Sequence, residues 1–261
     1  MLGAIIGDIV GSRFEFQNIY SKEFEFLHPK CRITDDTVLT VAVAKALVEC
    51  KNDYSDLSEM TVKHLRELSE AYESWIFGDM YRHWLDSEKP EPYGSYGNGS
   101  AMRVSACAWA AKSLDEVKKL SKVVTEVTHN HPEGIKGAEA TAVAIYLARS
   151  GKSISKIRKY INRHYYKLDF TIDGIRGNYI PNETCQQTVP QAIEAFLEST
   201  SFEDAIRNAI SIGGDSDTIA AITGSIAEAY YGIPSNLLYE SLGYVDKFLL
   251  EIILTFKNIY C

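Results

Sequence analysis

The chain has 261 residues, long enough to bury one large core, and carries a formal net charge of −8 at pH 7. That acidic balance argues against a nucleic-acid partner, which asks for a basic surface, and no apolar run reaches the ~20 residues a membrane span needs. Cys31, Cys50, Cys107, Cys185 and Cys261 are odd in number and scattered, which suits buried thiols in a reducing cytoplasm better than a disulfide framework or a zinc site.

Residues 1–10 are apolar without a basic start and are interrupted by Asp8. They read as a buried helix, not a signal peptide. The loop that follows ends at Glu15, a carboxylate that is either solvated or turned inward. Residues 38–48 put apolar side chains on most faces of a helix, so that helix is expected to be central, whereas 57–75 is amphipathic, with Leu65, Leu68 and Tyr72 in register. Tyr93 to Ser100 is a glycine-rich loop running into Ala101, Met102, Arg103 and Val104. Exposed amides backed by a helix start suit phosphate oxygens, and Tyr96 is either a base-stacking ring or a core tyrosine. Pro132 is expected to open a helix through 147 that Ser150-Gly151 closes. Pro190 is expected to open another through 197, followed directly by 202–210. Residues 219–231 carry Ala220, Ala221, Gly224, Ala227 and Ala229, small side chains that let helices approach closely, and Gly232 and Pro234 end that helix. Long alternating strand patterns are absent, so the reading is a mostly α single domain over 1–261.

Two short acidic clusters, Thr34-Asp35-Asp36-Thr37 and Asp215-Ser216-Asp217-Thr218, are near copies of each other, each at the start of a helix. One such cluster is most simply a helix cap. A cap needs one oxygen, however, and each cluster offers three or more. Carboxylates and hydroxyls are the ligands hard divalent ions prefer, so the pair points to one or two such ions. His129, in Thr128-His129-Asn130-His131-Pro132, is then a ligand-contacting group and not a metal ligand.

In this order, Gly7-Asp8 to Glu15, Thr34 to Thr37, Gly94-Ser95-Tyr96-Gly97-Asn98-Gly99 with Met102-Arg103, Thr128-His129, and Gly213-Gly214 to Thr218 resemble the ADP-ribosylglycohydrolase family. The resemblance implies an all-α fold, a compact orthogonal helical bundle with a metal-lined cleft holding two Mg²⁺ or Mn²⁺ ions. It implies Thr34, Asp35 and Asp36 as one ligand set and Asp215, Asp217 and Thr218 as the other. Glu15 matches a glutamate beside the metals, and Glu15, Asp35 or Asp217 would act as base or proton shuttle. Gly94, Ser95 and Tyr96 match pyrophosphate and adenine contacts, while Asn98 and His129 match positions near ribose and phosphate. The chain departs from the usual pattern at Ile76-Phe77-Gly78-Asp79-Met80, where Asp79 is a candidate to face the substrate, and at Ala106, where proline is frequent. The activity so implied is hydrolysis of the bond between ADP-ribose and an acceptor, either an ADP-ribosylated protein or a small ADP-ribose conjugate. A two-metal phosphoesterase and a non-catalytic ADP-ribose binder or structural protein are the alternatives.

Overall fold

In a computed structural model, which describes residues 1–73 and 76–261, the chain is built from helices. The first seven are α1 (Leu2–Gly11), α2 (Asp35–Glu49), α3 (Leu57–Ser69), α4 (Asp79–Asp86), α5 (Ser105–Ala110), α6 (Leu114–Glu126) and α7 (Pro132–Arg149). The rest are α8 (Ile154–His164), α9 (Ile172–Ile175), α10 (Cys185–Leu197), α11 (Phe202–Ile210), α12 (Ser216–Tyr231), α13 (Ser235–Leu242) and α14 (Lys247–Tyr260). Among the described residues the β pairing is an isolated bridge between Gly97 and Thr184, so the all-α reading holds.

Two helices form the centre. α12 is buried over most of its length and packs on α1, α7, α10 and α11. α2 packs on α1, α3, α5 and α14. The small residues of α12 serve the close approach their spacing suggests. A Cβ built on Gly7 would stand 2.1 Å from the Ala220 carbonyl oxygen, and one on Gly3 would stand 2.1 Å from that of Gly224. Farther along the same seam, a Cβ on Gly11 would meet the Asp217 Cα at 2.5 Å. Glycines four apart share one face of a helix, so Gly3, Gly7 and Gly11 bring α1 onto α12 backbone to backbone.

Three boundaries differ from the sequence expectation. α3 stops at Ser69: residues 70–73, Tyr72 among them, leave the helix in a turn and bend, and only 74–75 of the expected helix lie outside the described residues. α12 begins at Ser216, three residues early, so Asp217 and Thr218 belong to its first turn. Pro190 does not open α10 but sits inside it. Tertiary pairing sets that start: the Cys185 amide donates to the Tyr96 carbonyl at 3.0 Å, beside the Gly97–Thr184 bridge. Proline there removes one bond of the helical ladder, which is tolerated in a helix otherwise held by burial.

A candidate metal and nucleotide cleft

The end of α1 organises the first acidic cluster. Asp8 is fully buried, the one carboxylate in an otherwise apolar and glycine-lined helix. Its Oδ1 accepts from the Thr34 hydroxyl at 2.7 Å, and its Oδ2 accepts from the Thr34 and Thr37 amides, both at 3.0 Å, and from the Thr37 hydroxyl. Asp8 therefore caps α2 from outside, while Thr34 is the N-cap proper, its hydroxyl accepting from the Asp36 amide at 3.3 Å. Asp35 and Asp36 follow in the first turn, where the helix dipole offsets part of their charge.

The second cluster is stitched to the chain after α1. Gly213 and Gly214 hold φ of +76° and +82°, a left-handed pair that glycine accepts without strain. The Asn18 amide bridges this turn: its Nδ2 donates to the Gly214 carbonyl and its Oδ1 accepts from the Gly214 amide, both at 2.9 Å. Nδ2 also donates to the Phe14 carbonyl at 2.7 Å, which fixes the loop carrying Glu15.

The two clusters meet. The Thr218 hydroxyl donates to Asp36 Oδ2 at 3.0 Å. Glu15, Asp35, Asp36, Asp215, Asp217 and Thr218 all line one cavity of about 560 Å³. Asn98, Gly99, Arg103 and His129 line it too, and Asn98 Nδ2 donates to Asp215 Oδ2 at 2.6 Å. An outer chamber of about 710 Å³ shares Glu15 and Asp215 and is lined further by Gly94, Ser95, Tyr96 and Gly97. Thr34 is the one predicted ligand that does not line either chamber, its hydroxyl being turned to Asp8. Tyr96 is half exposed, so it is not a core tyrosine, and its ring lies 5.1 Å from that of His131.

Electrostatics match the geometry. Burial, then the neighbouring charge of Asp8, pushes Asp35 and Asp36 well above the usual carboxylate range. Burial, then Asp215, does the same to Asp217. Glu15 is raised to about 7 by burial and by Asp215, with Arg32 opposing. His129 is driven the other way, well below its ordinary value, by burial and by the charge of Arg103.

The match to the ADP-ribosylglycohydrolase family model runs over residues 1–251. The chain belongs to the ADP-ribosylglycohydrolase family. It is 24% identical to the mouse (Mus musculus) ADP-ribosylhydrolase ARH3 over 89% of this chain and 83% of that one. It is 25% identical to the ADP-ribosyl-[dinitrogen reductase] glycohydrolase of Rhodospirillum rubrum, covering 91% of this chain and 87% of that one. Identity to the ADP-ribosylarginine hydrolase Tri1 of Pseudomonas putida is 28%, over 89% of this chain and 70% of that one. A solved structure titled as an ADP-ribosylglycohydrolase-related protein complex superposes with a TM-score of 0.66 at 20% identity, over all of this chain and 97% of that one, and shares the fold. As an ADP-ribosylglycohydrolase the protein is an enzyme of the hydrolase class.

The donor set of this ADP-ribosylglycohydrolase fits hard divalent ions. It is all oxygen, and Asp36 Oδ1 is buried without any hydrogen-bond partner, an acceptor that a cation would satisfy. Among the described residues no three His, Cys, Asp or Glu side chains already close around a single point. Carboxylates with only one another for company repel.

One residue of the cleft carries no sequence signal of its role. Glu183 lines both chambers, its carbonyl accepts from the Asn98 amide at 2.8 Å, and burial and Asp215 raise its carboxyl pKa. Asp79 lies on the wall of the inner chamber but is exposed and paired with Arg82. The glycine loop also differs from expectation. Residues 101–103 form turns and α5 starts only at Ser105, so the loop holds a single 3₁₀ turn over Asn98–Ser100 and not the start of an α-helix. Four of its amides are committed within the protein: Tyr93 to the Thr128 carbonyl at 3.0 Å, Gly94 to Asn130 Oδ1 at 2.8 Å, Gly97 to Ser95 Oγ at 3.1 Å, and Asn98 to the Glu183 carbonyl. The amides of Ser95 and Tyr96 remain without a protein partner among the described residues.

Proposed function

We propose that the protein is a metal-dependent hydrolase of the glycosidic bond between ADP-ribose and an acceptor, an ADP-ribosylated protein side chain or a small ADP-ribose conjugate. The observation that carries this reading is the direct link between the two acidic clusters, the Thr218–Asp36 hydrogen bond inside a cavity that also reaches the glycine loop. Asp35, Asp36, Asp215, Asp217 and Thr218, with Thr34 behind them, would hold two Mg²⁺ or Mn²⁺ ions. When bound, those ions would supply Lewis-acid polarisation and lower the pKa of a water.

The rest of the chemistry falls to side chains. Glycoside cleavage passes through an oxocarbenium-like state, and carboxylates beside the anomeric carbon stabilise it. Glu15 stands where the inner and outer chambers join, placed to hold or move a proton between water and the leaving group. Asp35 and Asp217 share that candidacy. The free amides of Ser95 and Tyr96 and the ring of His129 are the donors available to pyrophosphate and ribose oxygens, with Asn98 beside them. The exposed ring of Tyr96 offers a face to adenine. Five free cysteines, four of them buried, support a reducing compartment such as the cytoplasm.

The test is release of ADP-ribose from ADP-ribosyl-arginine, ADP-ribosyl-serine and O-acetyl-ADP-ribose, each with Mg²⁺ and with Mn²⁺. Intact ADP-ribose is the expected product, whereas AMP or free phosphate would indicate a phosphoesterase. A folded, metal-loaded sample that releases nothing from any of the three sinks the reading.

A further inference from the structure

Among the described residues Arg103 is the largest fully buried side chain, and no carboxylate there forms an ion pair with it. A buried cation without a counter-ion is costly, so its contacts are informative. Its terminal nitrogen donates to the Thr128 hydroxyl oxygen at 2.5 Å and to the Val124 carbonyl at 3.3 Å. Thr128 Oγ1 in turn lies 2.7 Å from His129 Nδ1. The far nitrogen, His129 Nε2, has no protein partner among the described residues and faces the Gly97–Gly99 turn on the cavity wall. A Cβ on Gly99 would lie 3.5 Å from it.

The nearest acceptor for the hydroxyl proton of Thr128 is His129 Nδ1 at 2.7 Å; the Thr125 carbonyl stands at a poor 3.4 Å, and the Tyr93 hydroxyl is a further polar neighbour. The guanidinium donates to the oxygen and so makes its proton a better donor, a chain of bonds that polarise one another. The same positive charge disfavours a second N–H dipole pointing toward it and favours a lone pair at Nδ1. Both effects send the hydroxyl proton to Nδ1 and leave the ring proton on Nε2.

We propose that Arg103 and Thr128 are positioning residues that lock His129 as a neutral Nε2–H donor, aimed into the cavity at an anionic oxygen of the bound nucleotide sugar. The ring then gives a proton-bearing edge to the ligand across the whole working pH range, with no titration to switch it off. The tautomer stands on its own in the free protein. Only its use by ADP-ribose rests on the function proposed above.

The experiment is nitrogen NMR of ¹⁵N-histidine-labelled protein from pH 5.5 to 8.5, with His129 assigned by its loss in His129→Gln. Calorimetry of ADP-ribose binding in Mg²⁺ runs in parallel. The wild type is expected to show a proton on Nε2 and a bare Nδ1, unchanged across the range. Thr128→Val, which keeps the shape and deletes the hydroxyl, is expected to mix the tautomers and weaken ADP-ribose binding about tenfold, the scale of one hydrogen bond to a charged group. Thr128→Ser is expected to restore both. A wild-type proton on Nδ1, or an imidazolium signal within that range, overturns the proposal, and that measurement decides even if Thr128→Val does not fold. A Thr128→Val protein with wild-type tautomer and affinity overturns it as well. An unchanged tautomer pattern with no ADP-ribose binding by the wild type overturns the function proposed above and leaves the lock in place.

Discussion

Gly7→Ala is the sharpest test of how the two acidic clusters are brought together. The new Cβ would meet the Ala220 carbonyl oxygen at 2.1 Å and its carbon at 2.4 Å. Both are backbone atoms of α12, so no side chain can swing aside, and restoring ordinary contact requires the helices to part by roughly 1 Å. Overpacking of this kind costs about 3 kcal/mol, and the better helix propensity of alanine returns about 1. The net loss of about 2 kcal/mol corresponds to a fall of about 4–8 °C in the midpoint for a chain of this size. The same displacement separates Asp217 from α1 and Asp8 by several times the ~0.2 Å that metal geometry tolerates, so the stabilisation given by added Mg²⁺ should shrink too. Thermal unfolding by circular dichroism, with and without Mg²⁺, reads both effects. Gly78→Ala is the control, because a Cβ there meets nothing within 4 Å. If Gly7→Ala unfolds within about 1 °C of wild type and responds equally to Mg²⁺, the backbone seam does not hold the site and the reasoning fails.

Asp217→Ala removes one of several crowded, buried carboxylates, so the metal-free protein should melt no lower than wild type. The Mg²⁺-induced rise should vanish, and a retained rise would remove Asp217 from the ligand set. Asp8→Asn puts an amide among four donors to Asp8, and leaving donors unpaired should cost about 2–4 kcal/mol in urea unfolding; a loss under 1 kcal/mol would show that α2 does not depend on this cap. The pH response has a definite sign. The folded pKa values of Asp35, Asp36 and Asp217 lie well above the unfolded value of 3.8, so above pH 3.8 the folded state binds more protons than the unfolded one. Metal-free stability should therefore fall as pH rises from about 4 through the neutral range. Mg²⁺ must displace those protons, so its stabilising effect should grow with pH; a larger Mg²⁺ effect at pH 5 than at pH 8 contradicts the protonated cluster.

The legible parts of the fold were those written in local pattern. The helix over 202–210 has its expected bounds, and Pro132 opens α7 with His131 as its cap. The twin acidic clusters were visible as helix starts rich in oxygen. Their convergence was not, because it depends on a partner helix, α1, whose glycines at 3, 7 and 11 look merely small in sequence and whose Asp8 looks merely out of place. Spacing of four and a lone carboxylate in an apolar run were the available signals. Pro190 misled because proline marks helix starts in sequence, whereas the pairing of Cys185 with Tyr96 overrides it. Glu183 offered nothing to read: it stands in an irregular segment and reaches the cleft only through the fold around it.

Asn98 belongs at once to the turn that would carry a nucleotide and, through its side chain, to Asp215. An ion at Asp215 and a nucleotide at the Asn98 turn would therefore act on the two ends of one hydrogen bond. Thermodynamic reciprocity makes the two effects equal in size: whatever factor Mg²⁺ contributes to ADP-ribose affinity, ADP-ribose returns to Mg²⁺.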